Sequence, residues 1–364
     1  MNLRLGAFGR QESVSLVLLG TFVSGCFAID PNAVFRDGNR IWLVQGIATV
    51  LALLLFELLT GAIRRRGGNT LYTLIGDTRW KAILTVPLSL ALLLAAMQPM
   101  EQYLCAITQY VFVETKQTVI CLYLLPCLTL LVLLGAEALV RTARLLLPIL
   151  LLSVLVTLVL VAVQGRTYRL YPIPLSDPLA WCGQIAGATY RAFMPLLALL
   201  CIGDGTQTPK ALKSAGRLGG LLGGGLSVAA LFGLSITFSY VQLYRMPSPF
   251  YRMLVEVRAE NPTLRLDRAT FFLWMTGAIL VSAFYLYAAC VLFAQSFGVR
   301  DIRPLGMSAC ALAVTLILVL YYDSETTQTV LKTLYRDAWL LALLPVPFLL
   351  IRTRKERVVC GVSS

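Results

Sequence analysis

Residues 18–31 read LLGTFVSGCFAIDP, where the first apolar run of the chain should be most uniform. Gly20, Thr21, Ser24 and Gly25 are poor choices for a helix that only faces lipid. Two readings account for them. Small residues let a neighbouring helix approach closely. Alternatively the helix unwinds here, which at membrane depth is tolerated only where the backbone is buried in protein or lines a cavity. The rest of the chain bears on that choice.

Of the 364 residues, 58% are hydrophobic and 13% charged, with mean hydropathy +0.78. A soluble protein of this length needs more charge to cover its surface. Runs such as IWLVQGIATVLALLLFELLTGAI (41–63) match the roughly 20 residues that cross the hydrocarbon core as a helix. The chain therefore reads as an integral membrane protein, all-α and polytopic. Its first run lacks the small-residue cleavage site of a signal peptide. The net charge of +13 lies beside helix ends, where orientation and anionic membrane lipid explain it better than nucleic acid.

Nine cysteines without a CxxC pair read as apolar filler. Histidine is absent, which removes the commonest metal ligand and proton shuttle. No GxSxG, HExxH or paired intramembrane carboxylate suggests an enzyme, and no cofactor is expected.

Hydropathy and breakers mark ten spans near 12–31, 41–62, 80–110, 118–136, 145–164, 179–203, 218–243, 269–297, 304–321 and 334–351. Lys and Arg, among them Arg64–Arg66, Arg141, Arg144, Lys213 and the tail RTRKER, place both termini in the cytoplasm. Ten spans divide into two fives, so 1–364 reads as one permease-like domain. Repeat one covers 12–164 and repeat two 179–351, with a basic tail at 352–364. Transporters built as five-plus-five inverted repeats break the first helix of each repeat. Here the sixth span, GATYRAFMPLLALLCIGDG, carries Pro195 in its interior and Arg191 within the membrane. Interruptions at matching places in both halves point to a midplane ligand site.

The order of several motifs resembles the GerAB-type spore germination permeases. Gln11, Gly20, Thr21, Ser24, Gly25, Pro31, Asp37 and Trp42 follow that family's opening. RRRGGNTLYTLIG, TPKALKSAGRLGGLLGG and RLDRATFFLWMTGAILVSAFYLYAACVLFAQSFG are similar to its later landmarks. The resemblance implies the amino acid–polyamine–organocation superfamily, with its LeuT-like fold and broken first and sixth helices. It also implies the B-type subunit of a germinant receptor in the spore inner membrane, acting with A-type and C-type subunits on a small nutrient such as an amino acid. An ordinary amino acid permease of the cell membrane is the alternative. Where the family often carries an acid in its sixth span, this chain has FMPLLALLCIG.

For an amino acid, the carboxylate is expected at helix-end N–H groups around Ser24 and Gly25. The ammonium is expected at carbonyls freed near Phe193, Met194 and Pro195. Tyr103, Tyr190, Tyr285 and Tyr287 are candidates for side-chain selection, with Tyr103 and Tyr190 also fitting an interfacial belt. A sodium ion would use carbonyls near Thr21 and the Ser282 hydroxyl. Proton coupling would need an intramembrane acid, and only Glu57 and Glu101 offer one. Glu101 pairs with Arg191 if the third and sixth spans touch. The long loop 244–268 alternates apolar and basic residues and is expected to form short amphipathic helices along the membrane surface.

Overall fold

The computed structural model describes residues 7–27, 38–76, 81–171, 178–206, 208–246, 249–258 and 266–322, with shorter pieces at 333–334, 337–343, 345–347 and 349. The tail 352–364, Pro31 and Asp37 lie outside the described residues. The described part is helical, with one isolated bridge between Phe8 and Thr206. The helices are α1 (Arg10–Phe27), α2 (Ile41–Arg65), α3 (Lys81–Tyr110), α6 (Pro178–Cys201), α7 (Pro209–Thr237), α8 (Leu266–Phe297) and α9 (Arg303–Tyr322). A further apolar helical segment lies at Asp337–Pro347.

Between α3 and α6 one helical run, Gln117–Gln164, extends for 48 residues. Straight, it would measure about 72 Å, more than twice the hydrocarbon core. Gly135, at φ +85° and ψ −177°, divides it into α4 (117–134) and α5 (136–164). Only glycine takes that φ without steric penalty. The hydropathy pattern predicts a linker over 137–144. Those residues are instead the first turns of α5, because one glycine makes the corner.

The start of α7 is set by capping. The Thr208 hydroxyl accepts from the Ala211 N–H at 3.2 Å, and Pro209 occupies the first helical position. The helix thus begins nine residues before the apolar run suggested.

Packing follows a two-fold pattern. α1 packs along α7, and its counterpart α6 packs along α2. α1 touches α8 while α6 touches α3, and the pairs α1–α6, α2–α7 and α3–α8 meet across the middle. α8 is almost wholly buried, whereas α4 and α5 are largely exposed and apolar. Val50, Leu54 and Leu58 continue that outward stripe along α2. The result is a five-plus-five inverted-repeat membrane fold.

Hydrogen bonds tie each end of the bundle. At one end Phe8 N–H donates to Gly205 O (3.0 Å) and Leu71 N–H to Leu200 O (3.0 Å). At the other, Arg166 N–H donates to Ile236 O (3.0 Å), Arg169 to Thr237 O, and Asn39 to Arg169 O. The loop after α7 does fold into two short helices, Tyr240–Arg245 and Pro249–Arg258. The second packs into the protein, with Tyr251 between Tyr110 and Phe271 and Phe250 against Trp274.

Candidate functional site

In its described residues α1 is an unbroken helix through Gly20, Thr21, Ser24 and Gly25. The expected unwinding at these positions is therefore corrected. Close approach explains the small residues instead. A methyl group at Gly20 would sit 2.8 Å from Pro195 Cβ. One at Gly25 would sit 2.7 Å from Ser227 Oγ and 2.8 Å from Gln45 Nε2. The N–H groups around Ser24 and Gly25 are inside the helix and are not free for a carboxylate.

α6 likewise runs continuously over Pro195. Proline lacks an N–H, so the helix makes one backbone hydrogen bond fewer at this turn. Phe193 and Met194, the expected carbonyl sources, are fully buried and lie within the helix.

Five expected residues do converge. Ser24 Oγ on α1 and the Tyr285 hydroxyl on α8 are 2.5 Å apart in a buried hydrogen bond. Gly20 lies one turn from Ser24, against Pro195, and its added methyl would be 3.8 Å from the Tyr285 hydroxyl. Ser282 shares the Tyr285 face of α8, three residues away. Its hydroxyl is fully buried and makes no hydrogen bond among the described residues. Tyr190 is also inside the protein, donating to Ala91 O at 2.7 Å, so the belt reading is corrected for it. Tyr103 is half-buried.

The other expected residues point elsewhere. Thr21 donates to Val17 O (2.8 Å), and its carbonyl accepts from Ser227 Oγ (3.2 Å). Tyr287 is two residues from Tyr285 and faces away from it. Its hydroxyl lies at the α4–α5 corner instead, 3.8 Å from where a methyl on Gly135 would sit. Glu101 and Arg191 are both half-buried, on helices that touch through Tyr190 and Ala91. Arg191 lies back over Gly187, where an added methyl would be 3.8 Å from its Nη1.

Two features escaped the sequence reading. Along α7, Gly219, Gly223 and Ser227 form one ladder that receives Val14, Val17, Leu18, Thr21 and Gly25 of α1. Gly216, Gly220 and Gly224 form a second, which receives Phe56, Leu53 and Thr49 of α2. Spacing by four in GRLGGLLGGGLS carried that signal. The second feature is an ion-pair cluster: Glu57 binds Lys213 Nζ at 2.7 Å and Arg217 Nε at 2.8 Å.

The comparisons agree with this architecture. A family model described as spore germination protein matches residues 12–329. The chain belongs to that family. It is thus a GerAB-type permease, as its motif order implied. Similar solved structures include a nucleobase-cation-symport-1 family transporter in a closed conformation with bromovinylhydantoin bound, at 12% identity and TM-score 0.66 over 97% of this chain and 82% of that one. A Na+-coupled sialic acid symporter follows at 13% identity and TM-score 0.65, over 94% and 79%. A manganese transporter of Eremococcus coleocola has 14% identity and TM-score 0.63, over 94% and 78%. No curated protein matches. The germination permease is an integral membrane protein with the fold of these transporters.

Proposed function

We propose that this germination permease is the membrane-embedded B-type subunit of a spore germinant receptor, and that it binds a small nutrient carrying a carboxylate, an amino acid by class, between α1, α6 and α8. The observation that carries the reading is the buried Ser24–Tyr285 hydrogen bond at 2.5 Å. Both groups are hydroxyls, so each can exchange its partner for an anionic oxygen. A bond to a charged acceptor is roughly twice as strong as a neutral one. Ser282, buried and without a hydrogen-bond partner among the described residues, supplies a third donor on the same face.

In this reading the hydroxyl pair holds α1 to α8 until a ligand carboxylate takes both donors. The rearrangement is then relayed to A-type and C-type subunits in the spore inner membrane, with both termini cytoplasmic. Transport by an amino acid permease is the second reading, supported by the transporter neighbours. Sodium coupling in that case would draw on carbonyls near Thr21 and on the Ser282 hydroxyl. Proton coupling would rest on Glu57 or Glu101.

The test is thermal unfolding of the purified chain with amino acids added one at a time. One amino acid raises the melting temperature with concentration, as a ligand of the folded state must. The shift disappears in Tyr285→Phe and in Ser24→Ala. Retention of the full shift in both variants places the ligand elsewhere. Flux of that amino acid into liposomes then separates passage from sensing.

A further inference from the structure

A cleft of about 820 Å³ opens where the starts of α1, α5 and α7 meet. It is lined by Arg10, Glu12 and Val14 of α1, Arg141 and Arg144 of α5, and Leu218 of α7. We propose that this cleft holds the phosphate of an anionic phospholipid and clamps α1 to α5.

The charge balance favours an anion. Glu137 takes Arg141 at 2.5 Å, and Glu12 takes one nitrogen of Arg144 at 3.6 Å. Arg10 makes no ion pair among the described residues, so the lining keeps an excess positive charge. Glu12 is further occupied by the Gly9 N–H at 2.8 Å, which turns its carboxylate toward α1. Arg144 and Arg141 stay 55% and 64% exposed, so their guanidinium forks remain open to a phosphate.

Geometry favours a lipid over a free anion. Leu145 next to Arg144, and Leu221 and Leu222 one turn along from Leu218, are exposed beside the cleft. They give acyl chains an apolar surface while the headgroup enters the basic mouth. Basic pockets between membrane helices bind acidic headgroups by this combination.

The consequence concerns α1. Arg144 already bridges to it through Glu12 and through Gln11 Oε1 at 3.2 Å. A phosphate shared by Arg10, Arg141 and Arg144 reinforces that bridge. It would hold the helix that carries Gly20 and Ser24.

The experiment is thermal unfolding of the full chain in a zwitterionic detergent, with added phosphatidylglycerol, phosphatidylcholine, or inorganic phosphate at matched concentration. Phosphatidylglycerol is expected to raise the melting temperature by about 2–4 °C and the other two to leave it unchanged. Arg10→Gln and Arg141→Gln, which keep the Arg144–Glu12 contact, should reduce the shift together to less than half. Lys213→Gln, a basic residue outside the cleft, should retain it. An equal shift with phosphatidylcholine, an equal shift with phosphate alone, or a full shift in the Arg10→Gln/Arg141→Gln double variant overturns the proposal.

Discussion

Ser24 and Gly25 are neighbours in the chain and about 100° apart around α1, and the two faces they occupy do different work. On the Gly25 face, backbone lies nearly on backbone. A methyl at Gly223 of α7 would come within 2.5 Å of Leu18 O. On the Ser24 face, contact with α8 is made by a pair of hydroxyls at 2.5 Å that can find other partners. The first face fixes α1 against α7. The second can be exchanged. In the proposed function, a single cluster of small residues thus serves both a permanent joint and a switchable one.

The largest effect should come from the permanent joint. Gly223→Ala forces its new methyl against Leu18 O and Thr21 Cβ, and neither is the end of a flexible side chain. Overpacking of this kind costs about 3 kcal/mol, so the purified variant should unfold several degrees lower. Gly225→Ala two residues on, with nothing within 4 Å, is the control and should lose nothing. Equal losses in the two variants would break the distinction between the faces.

The exchangeable joint should respond less, and in a coupled way. Ser24→Ala or Tyr285→Phe leaves one buried hydroxyl without its partner, at about 1–2 kcal/mol. Removing both should cost less than the sum, with a coupling near 1 kcal/mol in a double-mutant cycle. Strict additivity would mean that the 2.5 Å contact carries no energy of its own. The charge pair expected between Glu101 and Arg191 is tested alongside. Glu101→Arg/Arg191→Glu should recover ligand response lost in either single variant, and a double variant no better than the singles rules the pair out.

Much of this was legible in sequence because the membrane makes it so. Length and apolarity alone locate spans such as 41–62 and 80–110 within a few residues of α2 and α3. Matching the two halves of a repeat singles out Gly20, Ser24 and Pro195, and Tyr285 enters separately as an aromatic of the eighth span. What failed was local geometry. Unwinding and close packing use the same small residues, and only the partner decides between them. At Gly20 the partner is the Pro195 ring, which sequence separation hides. Tyr287 was avoidable, since residues two apart on a helix cannot share a face. The α4–α5 corner depended on one φ angle at Gly135, which the surrounding leucines do not reveal.

The smallest effect should come from a joint that stands out in the structure, the cluster of Glu57 with Lys213 and Arg217. It links α2 to α7 beside the second glycine ladder, so its loss is buffered by packing that already holds those helices together. Glu57 and Lys213 are each 28% exposed, and water screens much of their attraction. Arg217 also remains on the carboxylate when Lys213 is removed. Lys213→Gln should therefore lower the melting temperature by no more than about 2 °C at low ionic strength. Near 1 M salt, where the screening length is about 3 Å, the difference should vanish. A larger, salt-resistant loss would mean that the ion pairs, and not the small-residue ladder, hold α2 on α7.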